Sequence, residues 1–179
     1  MKIAIISGSN RASSSSKLLA KYVGSKLEEK GCEVTFHDLF EKPVPFYYPD
    51  ERDQVDDVNL QLLAKTVAEA DGIVLSSPEY HGGPTGVLKN ALDHLDSEHF
   101  DGKIVLVMSS AGGAVGVSTL QQLQVIVRNV HGINCPEWIS IGGDQRRFTS
   151  EGEPESELIK KRVARTLQYF VTMIVNFRK

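Results

Sequence analysis

The chain predicts one doubly wound α/β domain, five parallel strands in the order 2-1-3-4-5 with helices on both faces of the sheet. Two observations predict it. Short continuous aliphatic runs, the pattern of strands buried on both faces, alternate with longer stretches whose apolar residues recur every three or four positions. Five such βα units sit in 179 residues. That length suits a single domain over residues 1–179 and fits a five-stranded sheet better than a six-stranded one.

Residues 2–7 open as strand 1, an unbroken aliphatic run. Leu18, Leu19, Val23 and Leu27 mark one face of the first helix, and Gly31 supplies its C-terminal stop. Residues 33–36 form strand 2. From 57 to 70, the spacing of Leu60, Leu63, Val67 and Ala70 predicts a helix. Strand 3 covers 72–77, followed by a helix over 85–95 with Val87, Leu88, Ala91, Leu92 and Leu95 on one face. Strand 4 covers 103–109, and the helix over 118–130 carries Leu120, Leu123 and Val127. Strand 5 covers 138–141, and a last helix runs from about residue 155 to the C-terminus. Residues 41–56 and 142–154 stay irregular; loops of that length in a compact domain are lids, binding loops or disordered segments.

Composition excludes several classes. With 20 Lys+Arg against 23 Asp+Glu the net charge is −3, which lacks the basic face a nucleic-acid partner needs. Hydrophobic residues at 41% and charged residues at 24% describe a globular chain rather than a disordered one. Cys32 and Cys135 make no CxxC or zinc spacing. The strand order sends them to opposite sheet edges, out of disulfide reach. The apolar run 3–6 is too short for a secretory signal core, and the longest later stretch, 169–177, is far below the ~20 residues that span a bilayer. The expectation is a cytoplasmic protein with reduced thiols, no membrane and no nucleic acid.

In a doubly wound sheet, ligands bind outside the carboxyl ends of the strands where strand order reverses, here between strands 1 and 3. Strand 1 is followed by Gly8-Ser9-Asn10-Arg11-Ala12-Ser13-Ser14-Ser15-Ser16-Lys17. A glycine and hydroxyls at a helix start present N–H groups and a positive dipole end to an anion, and Arg11 adds a fork of donors. The segment is neither GxGxxG nor GxxxxGK[ST], so a single phosphate monoester fits best. A serine-rich N-cap would explain one serine, not five and an arginine. Strand 3 is followed by Pro78-Glu79-Tyr80-His81-Gly82-Gly83-Pro84-Thr85-Gly86. Its prolines stiffen the segment, and its glycines let the backbone approach a flat heteroaromatic edge. Strand 4 ends in Ser109-Ser110-Ala111-Gly112-Gly113-Ala114-Val115-Gly116. Three such loops converge at one switch point.

Gly8-Ser9-x-Arg11-x-x-Ser14, Ser77-Pro78-Glu79-Tyr80-His81-Gly82 and Gly86-Val87-Leu88-Lys89-Asn90-Ala91 together resemble the NAD(P)H-dependent FMN reductase family. Within it they are most similar to the azobenzene and quinone reductases of bacteria. The resemblance spans nearly the whole chain. It implies a flavodoxin-like fold binding FMN, with Ser9, Arg11, Ser14 and Ser16 around the phosphate and Ser15 also among the cofactor-binding residues. Pro78, Glu79, Tyr80, His81 and Gly82 would lie along the ring and ribityl chain, with Ser110, Gly112 and Gly113 on the ring's other side. Two residues depart from the family pattern: Ser16 and His81 stand where Asn is common.

The resemblance also implies ping-pong hydride transfer from NADPH or NADH, through FMN, to a small planar acceptor such as an azo compound or quinone. The flavin carries that chemistry, so no catalytic side chain and no metal are expected. Backbone N–H groups of Gly82–Gly83 or of the 110–113 loop would stabilise charge on the reduced ring. Two alternatives stand beside this reading: a two-component flavin reductase that releases reduced FMN, and a flavodoxin-type electron carrier. The family implies a homodimer or homotetramer, with the helix bearing Leu88, Leu92 and Leu95 as the first choice of interface. Phe46, Tyr47 and Tyr48 either cap the flavin or pack in their own loop. Arg146 and Arg147 either contact the 2′-phosphate of NADPH or form a solvated charge pair. His94 and His99 are five apart, wrong for helical co-ligands, and read as a solvated helix end; His37 and His131 read as structural or surface histidines. Acceptor, donor preference and tightness of FMN binding are not written in these motifs.

Overall fold

The computed structural model describes residues 1–50 and 56–177. Residues 51–55, which fall in the segment expected to be irregular, and residues 178–179, which fall in the stretch expected as the last helix, lie outside that description. All strands pair in parallel. β1 (Lys2–Ser7), β2 (Glu33–Asp38), β3 (Gly72–Pro78), β4 (Ile104–Ala111) and β5 (Ile133–Asn134) line up in the order β2-β1-β3-β4-β5, and β6 (Ile139–Gly142) also pairs with β4. The expected order therefore stands, with six strands in place of five. The fifth position is shared by two short pieces because Pro136, which has no N–H to give, lies between them. Cys135 N–H still donates to Val105 O at 2.8 Å, so the break is local.

Helices α1 (Ser15–Glu28), α2 (Val58–Glu69), α3 (Gly86–Asp93), α5 (Val117–Asn129) and α6 (Glu157–Phe177) follow the apolar spacing. The four-residue α4 (Ser97–Phe100) carries too little periodicity to be read in the sequence. Side chains alternate along each strand. Ile3, Ile5, Val74, Leu106 and Met108 face α1 and α6, packing on Leu19, Val23, Leu27, Val163, Leu167 and Phe170. Ala4, Ile6, Ile73, Leu75, Val105 and Val107 face the other way, onto Leu63, Val67, Leu88, Leu92, Leu120 and Leu123. Leu88, Leu92 and Leu95 are thus at most 5% exposed within their own chain. A helix packed on a sheet spends its apolar stripe there, so these three leucines belong to the chain's own core.

Helix starts are set by local chemistry. Asp57 caps α2 by accepting from Leu60 N–H at 2.9 Å. Thr85 caps α3 by accepting from Leu88 N–H at 3.1 Å. Gly31 ends α1 with φ +80°. Cys32 and Cys135 are buried free thiols at the two sheet edges, and burial raises the pKa of each. Among the described residues, no helix is long and apolar enough to cross a membrane.

Candidate functional site

At the carboxyl ends of β1, β3 and β4 lies a cleft of about 290 Å³, lined by residues that include Arg11, Ser14, Ser15, Pro78, Glu79, Tyr80, Ser110 and Gly112. Eight of the thirteen sequence-predicted residues meet there. Ser13, Leu18 and Arg146 join them. Ser13 lies in the serine run, but Leu18 reads only as a core-face residue of α1, and nothing local to residue 146 shows which loop it approaches. Arg146 Nη1 donates to Ala111 O at 3.0 Å, drawing the loop after β6 onto the loop after β4. Ser15 Oγ and Ser110 Oγ share a hydrogen bond of 2.7 Å, joining the first loop to the third across 95 residues.

The donor set suits an anion. Unlike α2 and α3, α1 has no side-chain cap: Ser14 is extended, and its hydroxyl accepts from no backbone N–H of the first turn. Its first turn carries no acidic residue. The amides of that turn and the positive end of the helix dipole therefore lie at the cleft with no acidic side chain in their own turn to neutralise them. Lys17, in the same turn, points elsewhere and pairs with Asp38 at 2.7 Å, both largely buried. The cationic side chains at the cleft are Arg11 and Arg146.

Five expected residues stand outside the lining, each for a visible reason. Ser9 is fully buried, and its Oγ accepts from Arg11 N–H at 3.2 Å, so it shapes the turn that presents Arg11. Ser16, also buried, shares a 2.7 Å hydrogen bond with Ser14 Oγ, and its carbonyl accepts from Ser76 Oγ. His81 and Gly82 are the centre of a tight turn: Tyr80 and Gly83 exchange N–H···O bonds of 2.9 and 3.0 Å. Both central residues have positive φ, +53° and +76°, as in a type I′ turn. Asn-Gly is the favoured pair there, and His is among the few side chains that tolerate the first position. The departure at residue 81 is therefore a backbone matter. Gly83 N–H is spent inside this turn and is removed from the donors expected to face the ring. Gly113 passes its carbonyl to Gly143 N–H at 3.0 Å. A Cβ added at Gly113 would meet nothing within 4 Å, and one at Gly112 only Arg146 Nη1 at 3.7 Å, so both strand-4 glycines border open space. Glu79 lines the cleft, yet its carboxylate is used: Oε2 accepts from Thr119 N–H at 3.0 Å and caps α5 in place of Gly116.

Gly8 serves packing. Its N–H donates to Ser76 O at 2.7 Å, and a Cβ there would sit 2.6 Å from Leu88 Cβ. Thr85 Oγ1 donates to Gly8 O, tying the first loop to the start of α3. The aromatic loop is docked on α3 by its own contacts. Asn90 Nδ2 donates to Pro45 O, Tyr47 N–H donates to Asn90 Oδ1, and the Tyr47 ring stands edge-on to His94 with centroids 5.1 Å apart. Phe46 and Tyr48 remain exposed. His94 Nε2 lies 2.9 Å from Pro45 O, and His99 Nδ1 lies 2.9 Å from Asp96 Oδ1 in a capping box. Arg147 pairs with Asp144 at 2.8 Å in solvent, the charge-pair alternative.

This sheet order, with an uncapped hydroxyl-rich helix start and two arginines at the switch point, defines a flavodoxin-like mononucleotide-binding domain. The family model for NADPH-dependent FMN reductases matches residues 1–146. An FMN-dependent NADPH-azoreductase of Staphylococcus saprophyticus is 34% identical over 182 residues, covering 100% of this chain and 96% of that protein. Its namesake in Staphylococcus aureus is 36% identical over 143 residues, covering 78% and 76%. Among solved structures, the flavoenzyme NAD(P)H:(acceptor) oxidoreductase FerB from Paracoccus denitrificans shares the fold, with a TM-score of 0.80 at 20% identity over 98% of both chains. A flavodoxin from the domain Archaea does so at 0.65 and 14% identity, over 96% of this chain and 98% of its own. The chain belongs to the NADPH-dependent FMN reductase family. It is an oxidoreductase whose cofactors are FMN and NADPH.

Proposed function

We propose that this protein reduces small planar acceptors, azo compounds and quinones, at an FMN held in the cleft, with NADPH as hydride donor. The observation that carries this reading is the single cleft lined from the carboxyl ends of β1, β3 and β4, braced by the Ser15–Ser110 hydrogen bond and the Arg146–Ala111 contact, beside the uncapped start of α1. The first-turn amides, the hydroxyls of Ser14 and Ser15 and the Arg11 guanidinium would hold the phosphate. Ser9 and Ser16 would act from below, fixing the turn. The backbone from Pro78 to Gly82 would border the ring and ribityl chain on one side, and Ser110, Gly112 and Gly113 on the other. FMN supplies the hydride chemistry, taking two electrons from the nicotinamide and passing them to the acceptor. The protein's part is to bind, orient and leave one ring face open, so donor and acceptor use it in turn. Glu79, spent on α5, holds the 78–83 segment against the start of that helix and stays out of proton transfer.

In this reading the protein works in the cytoplasm as a homo-oligomer. The relatives carry azoreductase names, which supports the acceptor class. The test is steady-state oxidation of NADPH by FMN-loaded protein, with an azo dye or a quinone as sole acceptor. Turnover with parallel-line kinetics, and yellow colour retained through dialysis, is the expected result. Loss of FMN on dialysis with saturable reduction of free FMN identifies a two-component flavin reductase instead. Turnover only in the presence of a partner reductase identifies an electron carrier.

A further inference from the structure

Beside the cleft runs a second groove of about 380 Å³, walled by Gln145, Leu158, Ile159, Lys161, Arg162 and Arg165. Gln145 and Arg146 are consecutive residues of one 3-10 turn (Gly143–Arg146). One lines the groove and the other the cleft, so the same turn borders both depressions. The charge in the groove is uneven. On α6, Lys160 is engaged by Glu153 and Glu157 at 3.2 and 3.1 Å, and Arg165 by Glu137 at 3.2 Å. Asp144, in the turn that carries Gln145, is taken by Arg147. Among the described residues, Lys161 and Arg162 have no carboxylate within ion-pair distance, and both are exposed. Beside them Leu158 is 68% exposed, an apolar surface next to free cations and the Gln145 amide.

We propose that this groove receives the adenosine 2′-phosphate end of NADPH while its nicotinamide occupies the FMN cleft. The assignment rests on the FMN reading above. A guanidinium fork matches a dianionic phosphate monoester, Lys161 adds charge, Leu158 offers a surface for the adenine face, and Gln145 presents donor and acceptor to its edge. NADH has no group for Arg162 and Lys161 to hold. The groove therefore selects between the two donors, a choice the cleft, which meets only the shared nicotinamide, cannot make. This places the 2′-phosphate on α6, not on Arg147, whose charge is already paired.

The test combines Lys161→Ala with Arg162→Ala in FMN-loaded protein; both side chains are exposed, so the fold is retained. By calorimetry, the wild type should bind adenosine 2′,5′-bisphosphate about tenfold or more tightly than adenosine 5′-monophosphate, and the double variant should lose that preference. Inorganic phosphate at equal concentration should not displace the bisphosphate, which separates an adenosine phosphate site from a general anion site. In turnover, kcat/KM for NADPH should fall about tenfold in the double variant while NADH and FMN affinity are unchanged. A variant that keeps the bisphosphate preference, or loses NADH and NADPH efficiency equally, overturns the proposal. If the wild type binds no FMN or oxidises neither donor, the FMN reading falls, and the bisphosphate measurement still decides the groove.

Discussion

Replacing Gly8 by alanine separates the two jobs that glycines do at this site. The new Cβ would lie 2.6 Å from Leu88 Cβ, 2.9 Å from Leu88 Cδ2 and 3.0 Å from Ser76 O. None of these neighbours can retreat easily. Leu88 is fully buried, and the Gly8 peptide is held on both sides, by its N–H on Ser76 O and by Thr85 Oγ1 on its carbonyl. Overpacking of one such group costs about 1–3 kcal/mol. In a domain of this size that lowers Tm by roughly 2–12 °C, at about 2–4 °C per kcal/mol. Gly112→Ala is the matched control, because it lines the cleft and its Cβ would meet only Arg146 Nη1 at 3.7 Å. It should melt with the wild type, to within about 0.5 kcal/mol, while weakening FMN by projecting into the space assigned to the ring. Thermal unfolding of flavin-free protein, followed by fluorescence titration with FMN, reads both effects. If Gly8→Ala melts with the wild type, or Gly112→Ala melts as low as Gly8→Ala, the division of the glycines into packing and ligand-facing positions is wrong.

Arg11→Ala should weaken FMN binding by about 1.5–3 kcal/mol, the scale of a charged hydrogen bond, with Tm unchanged because the side chain is exposed; unchanged FMN affinity would move the phosphate elsewhere. At residue 81, Asn should match or exceed the wild-type stability. Val, which resists positive φ, should lower it by about 1–3 kcal/mol in urea unfolding. His37 is 1% exposed with neither ring nitrogen hydrogen-bonded, and burial lowers its pKa, with the Lys42 charge adding to the effect. Above pH 6.5 the ring is neutral in both states and contributes nothing to pH dependence. As pH falls below 6.5, the unfolded chain takes up a proton that the folded one refuses, so stability is lost until the lower folded pKa is reached. Stability measured from pH 8 to 5 should show this decline, and His37→Phe should flatten it; an unchanged slope in that variant would assign the decline to other groups.

The strand order, the two-faced core and the meeting of three loops are legible in residue order. A strand buried on both faces must be apolar at every position, and a helix packed on one face must be apolar every third or fourth. Asp57 and Thr85 mark helix starts because a cap needs only residues three apart in sequence. The serines from 13 to 16 and Arg11 mark a candidate anion site for the same local reason. What residue order cannot express is which way a polar side chain turns once the loop is closed. Ser9 and Ser16 look like Ser14 and Ser15 in sequence, yet the first pair braces the turn and the second reaches the cleft. His81 reads as a polar contact until its φ of +53° shows a turn position. Glu79 reads as a ring neighbour, and only the fold shows that its carboxylate is taken by Thr119, 40 residues on. Leu88, Leu92 and Leu95 carry one apolar face that suits a partner or the chain's own sheet equally, and only the packing chooses the sheet. The chain's local chemistry thus points to the sheet's switch point as the place for an anion and a flat ring, the reading proposed above. Which serines, which arginine and which groove take part depends on contacts between segments far apart in the chain, such as Ser15 with Ser110 and Arg146 with Ala111, and these exist only once both faces of the sheet are packed.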